Sequence, residues 1–135
     1  MLRDFRWGFL GVGSVTERMV TAIRSRPGHH IQIAAGRDPG KLSSWGQRHQ
    51  VVRLTQNLQD VIDTPEVDIV YMALPPSLHA EWTTRALRAG KRVLCEKPMA
   101  LDAASCEAMI QASRDCSVPL THATGFVHHP RSHAM

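Results

Sequence analysis

Cysteine is scarce in this 135-residue chain, and Cys95, Cys106 and Cys116 are odd in number with no CxxC spacing. That pattern makes neither a disulfide framework nor a zinc site, so the three read as buried, reduced thiols. Long apolar runs are missing too. Stretches such as Ile69 to Pro76 fall far short of the roughly 20 residues that span a bilayer, and no membrane span is expected. The opening Met-Leu-Arg-Asp-Phe-Arg-Trp-Gly lacks the basic-then-apolar order of a signal peptide, which points to a cytoplasmic protein. No basic run is interleaved with aromatics, so nothing suggests nucleic acid. His122, His128, His129 and His133 have no carboxylate or thiolate partners, and no metal site is expected from them. There is no internal repeat and no low-complexity tract.

What is present suits one globular domain: 43% of residues are hydrophobic and 21% charged, enough to bury a core and far from a disordered composition. The net charge of +4 is uneven. Residues 1–57 hold nine Arg or Lys against three acids, whereas residues 58–135 hold seven against nine. The basic half suits a phosphorylated ligand, or equally a solvated basic face.

Hydrophobic periodicity alternates between strand and helix. Trp7–Val12 reads as a strand ending in glycine, and Val15, Met19 and Ile23 then recur on one helical face. His30–Ala35 is a second strand, followed by Asp38-Pro39, a helix cap with proline at the first helical position, and by Leu42, Trp45 and His49 on one side. Val51–Leu54 is a weaker strand, and Leu58, Val61 and Ile62 mark a short helix before Thr64-Pro65. Asp68–Leu74 is the strongest buried strand. Ser77 is placed to cap a helix with Leu78, Trp82 and Ala86 facing inward and Gly90 as its stop. Arg92–Cys95 is the next strand. Asp102 caps a last helix carrying Cys106, Met109, Ile110 and Cys116, and Pro119–Phe126 reads as a final strand. Strands separated by helices imply right-handed crossovers, hence a doubly wound parallel sheet with helices on both faces: a three-layer α/β Rossmann fold.

Four stretches carry chemistry. In Gly11-Val12-Gly13-Ser14-Val15-Thr16, Gly11 permits a tight turn and Gly13 a close approach of pyrophosphate, while the helix start offers N–H groups to the anion. Thr16 replaces the usual third glycine and is bulkier where helix meets strand. At the end of the second strand, Gly36-Arg37 has no carboxylate at the first position to repel a 2′-phosphate, and Arg37 offers a planar fork for one, so NADP is preferred over NAD. Asp38 reads as the helix cap, with a ribose acceptor as its alternative. Leu74-Pro75-Pro76-Ser77-Leu78-His79 ends the fourth strand, with a rigid proline floor and a histidine that either reaches the cofactor or caps the turn. In Glu96-Lys97-Pro98, Lys97 points into the crevice beside the nicotinamide and could bond a substrate hydroxyl. The alternative is a Glu96–Lys97 surface pair.

Taken together, Arg6–Gly13, Val67–Tyr71, Pro76–His79 and Ala89–Pro98, in that order and at those distances, resemble the N-terminal half of the Gfo/Idh/MocA oxidoreductases. The likeness covers residues 5 to about 130, and its most specific part is AGKxVxxEKP. It implies that Gly11, Gly13, Ser14 and Val15 bind pyrophosphate and that Gly36 and Arg37 choose between NAD and NADP. It also implies that Leu74, Pro75, Pro76, His79, Glu96 and Lys97 line the nicotinamide side, with Lys97 catalytic. Val127 stands where similar members carry arginine. The expected activity is hydride transfer between a nicotinamide cofactor and a sugar, polyol or related secondary alcohol.

The resemblance also implies a second domain with the remaining proton-transfer and substrate groups. Residues 1–125 are accordingly expected to form the cofactor domain, and 126–135 the stub of the connection. On its own such a chain is expected to bind cofactor without efficient turnover. Its rivals are a non-catalytic binding module, either a redox-state sensor or a subunit that borrows its second half from a separately encoded partner, and a truncated product; a homo-oligomer is the other partner state expected.

Overall fold

The computed structural model describes residues 3–124 and Arg131. Among these, strands and helices alternate as β1 (Phe5–Leu10), α1 (Thr16–Arg24), β2 (His29–Ala35), α2 (Pro39–His49), β3 (Leu54–Thr55), α3 (Leu58–Asp63), β4 (Ile69–Met72), α4 (Pro76–Arg88), β5 (Arg92–Glu96), α5 (Ala103–Cys116) and β6 (Leu120–Ala123). The strands form one sheet in the order β3-β2-β1-β4-β5-β6, each neighbouring pair parallel. The order reverses between β1 and β4, and a crevice opens there at the carboxyl ends of the strands.

Alternate residues along each strand serve opposite faces. Trp7, Phe9, Ala34 and Tyr71 pack with Val20 and Ile23 of α1 and Trp45 of α2. Leu10, Ile33, Val70, Met72 and Val93 pack with Val61 of α3, Leu87 of α4 and Met109 of α5. Fully burying a side chain such as Phe9 or Leu87 stabilises by about 1.5–3 kcal/mol. Gly8 is glycine for the same reason of packing, since a Cβ there would lie 2.5 Å from Val61 Cγ1.

The local signals act as expected at three helix ends. The Asp38 carboxylate accepts from the Lys41 backbone N–H at 3.0 Å, and the Asp102 carboxylate accepts from the Ser105 N–H at 2.7 Å. Gly90, at φ +79°, closes α4. Elsewhere the elements are displaced. β1 runs Phe5–Leu10 rather than 7–12, because Gly11 already turns away with φ +99°. α1 begins at Thr16, so its buried face is Thr16, Val20 and Ile23, and Val15 before it is 45% exposed. β3 is only Leu54–Thr55, since Val51 is drawn back into the core with its N–H on the Gly46 carbonyl.

α4 starts at Pro76 with Pro75 at its cap, and Ser77 makes no cap bond. Ala86 is buried as expected, but the other buried residues are His79, Thr83 and Leu87 rather than 78 and 82, and the half-buried Trp82 also stacks under the Arg85 guanidinium at 4.6 Å. On α5, Met109 and Ala112 are buried while Ile110 is exposed. The stretch from 125 to 130, with Phe126, Val127, His128 and His129, lies outside the described residues, as does His133. So does the 126–135 connection, apart from Arg131.

Lys91, within the AGKxVxxEKP stretch, is buried at the opposite end of the sheet from the crevice. Its Nζ donates to the carbonyls of Thr64 at 2.9 Å and Val67 at 2.8 Å, tying the approach to β4 to the start of β5. Desolvation pulls its amine below the ordinary lysine range.

Candidate functional site

Parallel strands bring the four chemistry-bearing stretches to one edge: Gly11–Val15 after β1, Gly36–Asp38 after β2, Leu74–Leu78 from β4 into α4, and Glu96–Pro98 at the end of β5. A cleft of about 580 Å³ opens among the first three, with Gly11, Gly13, Gly36, Arg37, Leu74 and Pro75 on its walls. Asp38, Lys41, Gln56, Ala73 and Leu78 join them.

The glycine turn is shaped by close approach. A Cβ on Gly11 would meet the Ala73 carbonyl oxygen at 2.5 Å, because β1 and β4 touch where the order reverses, with Ala73 N–H on the Leu10 carbonyl. Around Gly13 there is nothing within 4 Å of that position, so a ligand has free access to the backbone. Ser14 and Val15 are exposed, and their N–H groups find no acceptor among the described residues. These unpaired donors, at the start of a nine-residue helix, form a cradle for an anion. The Thr16 hydroxyl donates to the Gly13 carbonyl at 2.6 Å, pinning the turn from beneath.

On the β2 side, Gly36 N–H donates to the Thr55 carbonyl at 3.1 Å, and the Gln56 amide donates to the Arg37 carbonyl at 3.1 Å. Asp38 is occupied as the α2 cap. The Lys41 N–H holds its carboxyl below the ordinary carboxylate range. Two cations, Arg37 and Lys41, therefore border this wall with the carboxylate beside them turned to a backbone donor.

His79 is 1% exposed and sits behind the Leu74–Pro76 wall. Its Nε2 lies 2.6 Å from the Leu74 carbonyl oxygen and its Nδ1 2.9 Å from that of Pro98, so the ring clamps the β4 exit to the β5 exit. Of the two roles open to it, the geometry gives it the capping one. Cys95 lies beside it, Sγ 3.4 Å from Nδ1, and burial pushes its thiol up to about 11.

Glu96 and Lys97 lie at the end of β5, beyond the Pro75–Leu78 side of the cleft. They form no surface pair: the Tyr71 hydroxyl donates to Glu96 Oε1 at 2.6 Å, and Oε2 accepts from the Lys97 backbone N–H at 3.3 Å. The Lys97 side chain is exposed, and Lys97-Pro98 is a cis peptide bond. Lys41, Gln56 and Tyr71 carried no signal of a site role in the sequence. Lys41 is marked in retrospect by its place on the first turn after the Asp38 cap, and Tyr71 by strand alternation onto the Glu96 face. Among the described residues no group of three His, Cys, Asp or Glu could hold a metal, and no helix is long and apolar enough to cross a membrane.

A parallel sheet of this order, with an open glycine turn at its switch point, defines a dinucleotide-binding domain. The chain belongs to the Gfo/Idh/MocA oxidoreductase family, whose model, an oxidoreductase family NAD-binding Rossmann fold, matches residues 5–124. It is 33% identical over 132 residues to dTDP-3,4-didehydro-2,6-dideoxy-alpha-D-glucose 3-reductase of Saccharopolyspora spinosa, covering 97% of this chain and 40% of that protein. It is 31% identical over 130 residues to 1,5-anhydro-D-fructose reductase of Ensifer adhaerens, covering 96% and 38%. Among solved structures it matches the 3-ketoreductase KijD10 of Actinomadura kijaniata, in complex with NADP and TDP-benzene. That match has a TM-score of 0.89 and 30% identity, over 98% of this chain and 41% of the other. The chain thus spans about 40% of the length of these relatives.

Proposed function

We propose that the chain holds NADP(H) for hydride transfer to or from a secondary alcohol or ketone on a sugar-like substrate. The observation that carries the cofactor choice is the pair of cations, Arg37 and Lys41, at the β2 wall of the cleft, with Asp38 turned to the α2 cap. A 2′-phosphate placed there meets two positive charges, one of them a planar fork. The NADP bound in the KijD10 complex and the sugar reductases among the relatives support the same reading.

In this assignment Gly11, Gly13, Ser14 and Val15 receive the pyrophosphate. Leu74, Pro75 and Pro76 form the wall toward the nicotinamide, His79 keeps that wall in place, and Glu96 and Lys97 stand at its far end. The bound nicotinamide supplies the hydride acceptor or donor. Lys97 serves in this reading as the chain's catalytic group, its exposed ammonium holding the reacting oxygen and exchanging a proton with it. Residues 1–125 act as the cofactor domain and 126–135 lead toward a substrate domain, in which the remaining substrate contacts reside. Such a domain comes from a continuation of the polypeptide or a separately encoded chain.

The test is thermal stabilisation of the purified chain by NADPH against NADH. A ligand at a hundredfold over its Kd adds about 2.7 kcal/mol. NADPH is expected to give the larger shift at equal concentration. A larger shift with NADH would overturn the role of Arg37 and Lys41, and no shift with either would remove the cofactor assignment.

A further inference from the structure

We propose that Tyr71 is a positioning residue that draws the Glu96 carboxylate inward and so leaves the neighbouring Lys97 ammonium unpaired. This rests on the reading of Lys97 given above and adds the residue that keeps its charge available.

Adjacent Glu and Lys side chains at a strand end are free to pair with each other. Here they do not. Both Glu96 oxygens are occupied, Oε1 by the Tyr71 hydroxyl at 2.6 Å and Oε2 by the Lys97 backbone N–H at 3.3 Å. The Lys97 side chain makes no hydrogen bond or ion pair with the described residues.

Register explains why the tyrosine reaches the glutamate. Tyr71 of β4 pairs with Leu94 of β5, and Glu96, two residues on, shares the Leu94 face and stands on the diagonal within reach of a long side chain. The ring is 1% exposed and is fixed by Phe9, which meets it edge-on at 5.1 Å and itself packs on Trp45 at 5.5 Å. Burial, reinforced by the Glu96 bond, holds the phenol protonated far above the ordinary tyrosine range, so it remains a donor at every working pH. The carboxylate is thus held by a rigid core group while the lysine stays in the open.

The test is the rate at which Lys97 is acylated by an N-hydroxysuccinimide ester without cofactor, followed by peptide mass spectrometry. Lys41, Lys91 and Lys97 are the chain's three lysines, and exposed Lys41 serves as the internal reference. In Tyr71→Phe, which keeps the packed ring, the released carboxylate pairs with Lys97 and slows its labelling about threefold, the population expected of an exposed ion pair. Tyr71→Phe combined with Glu96→Gln restores the wild-type rate. Glu96→Gln alone leaves the rate unchanged, and this variant keeps the test open should Tyr71→Phe fail to fold. A Lys97 rate unchanged or raised in Tyr71→Phe, a slowing not rescued by Glu96→Gln, or faster labelling in Glu96→Gln alone would overturn the proposal. The NADPH shift of the wild-type chain tests the cofactor site separately, so the two fail independently.

Discussion

The indole Nε1 of Trp45 donates to the hydroxyl of Thr16 at 2.9 Å, and that hydroxyl donates to the Gly13 carbonyl at 2.6 Å. Both side chains are buried, so the glycine turn is fastened to α2 through two polar groups sealed from water. Where a glycine would only allow close packing, the threonine adds a strut. Thr16→Val keeps the shape but leaves the Trp45 N–H without an acceptor, and is expected to cost about 1–3 kcal/mol in urea unfolding. In Thr16→Val with Trp45→Phe the two losses should be less than additive, which a double-mutant cycle reads directly.

The two glycines of the turn should separate stability from binding. Gly11→Ala places a Cβ 2.5 Å from the Ala73 carbonyl oxygen at φ +99° and is expected to destabilise by at least about 1–3 kcal/mol. Gly13→Ala meets nothing within 4 Å, so its unfolding free energy should stay within about 0.5 kcal/mol of wild type. Its NADPH affinity should nonetheless fall, because the methyl occupies the open side of the turn. Equal losses of stability in the two variants would contradict this division.

Arg37→Ala and Lys41→Ala should each weaken NADPH binding by about tenfold or more, the scale of a charge-assisted hydrogen bond, while NADH binding changes little. Isothermal titration at two salt concentrations checks this. The NADPH affinity of the wild type should fall with salt, and more steeply than that of either variant.

The thiols should differ in reactivity by position. Cys95 is fully buried with its thiol pushed up to about 11, whereas Cys106 and Cys116 are partly exposed. Iodoacetamide at pH 8 is expected to modify Cys106 and Cys116 first and Cys95 only on unfolding. The Cys95 shift also sets a sign for alkaline stability. Between the ordinary 9.0 and about 11 the unfolded thiol ionises before the folded one, so the unfolded state binds fewer protons and stability falls as pH rises. Cys95→Ala should remove that part of the slope.

At the acid end the two carboxylate caps act in the other direction. Asp38 and Asp102 are held below 3.8, chiefly by the backbone N–H groups of Lys41 and Ser105. Their contribution is present above 3.8 and is lost as pH falls through the lowered folded values. A melting-temperature profile from pH 6 to pH 2 should be flatter in Asp102→Asn than in wild type. An identical profile would show that the cap carries no net charge effect.

Element order and the parallel arrangement were legible because they rest on local signals: alternation along strands, Asp38 and Asp102 as caps, Gly90 as a stop. The faces of α1 and α4 were legible only in part: Ile23 and Ala86 are buried as expected, whereas Thr16 and Val20, and His79, Thr83 and Leu87, complete the stripes. One residue along a helix is a rotation of about 100°, so exchanging Leu78 for His79 or Trp82 for Thr83 turns the inward stripe, and Val15 and Ser77 misled because one caps α1 and the other lies inside α4. Within the site, the glycine turn and the Glu96-Lys97 corner stood out as motifs, while Lys41 and Gln56 enter the cleft only once β2 and β3 are paired.

That the glycine turn, Gly36-Arg37, Leu74–His79 and Glu96-Lys97 each follow a strand was therefore determined by the sequence alone, since turn, cap and strand signals act over a few neighbouring positions. How those residues use their polar groups was decided by tertiary structure. Trp45 and Thr16 are 29 residues apart, Tyr71 and Glu96 25, and His79 and Pro98 19. Whether such a hydroxyl, carboxylate or imidazole faces a ligand or is occupied within the core depends on which partner folding brings within 3 Å, and no local pattern encodes that distance.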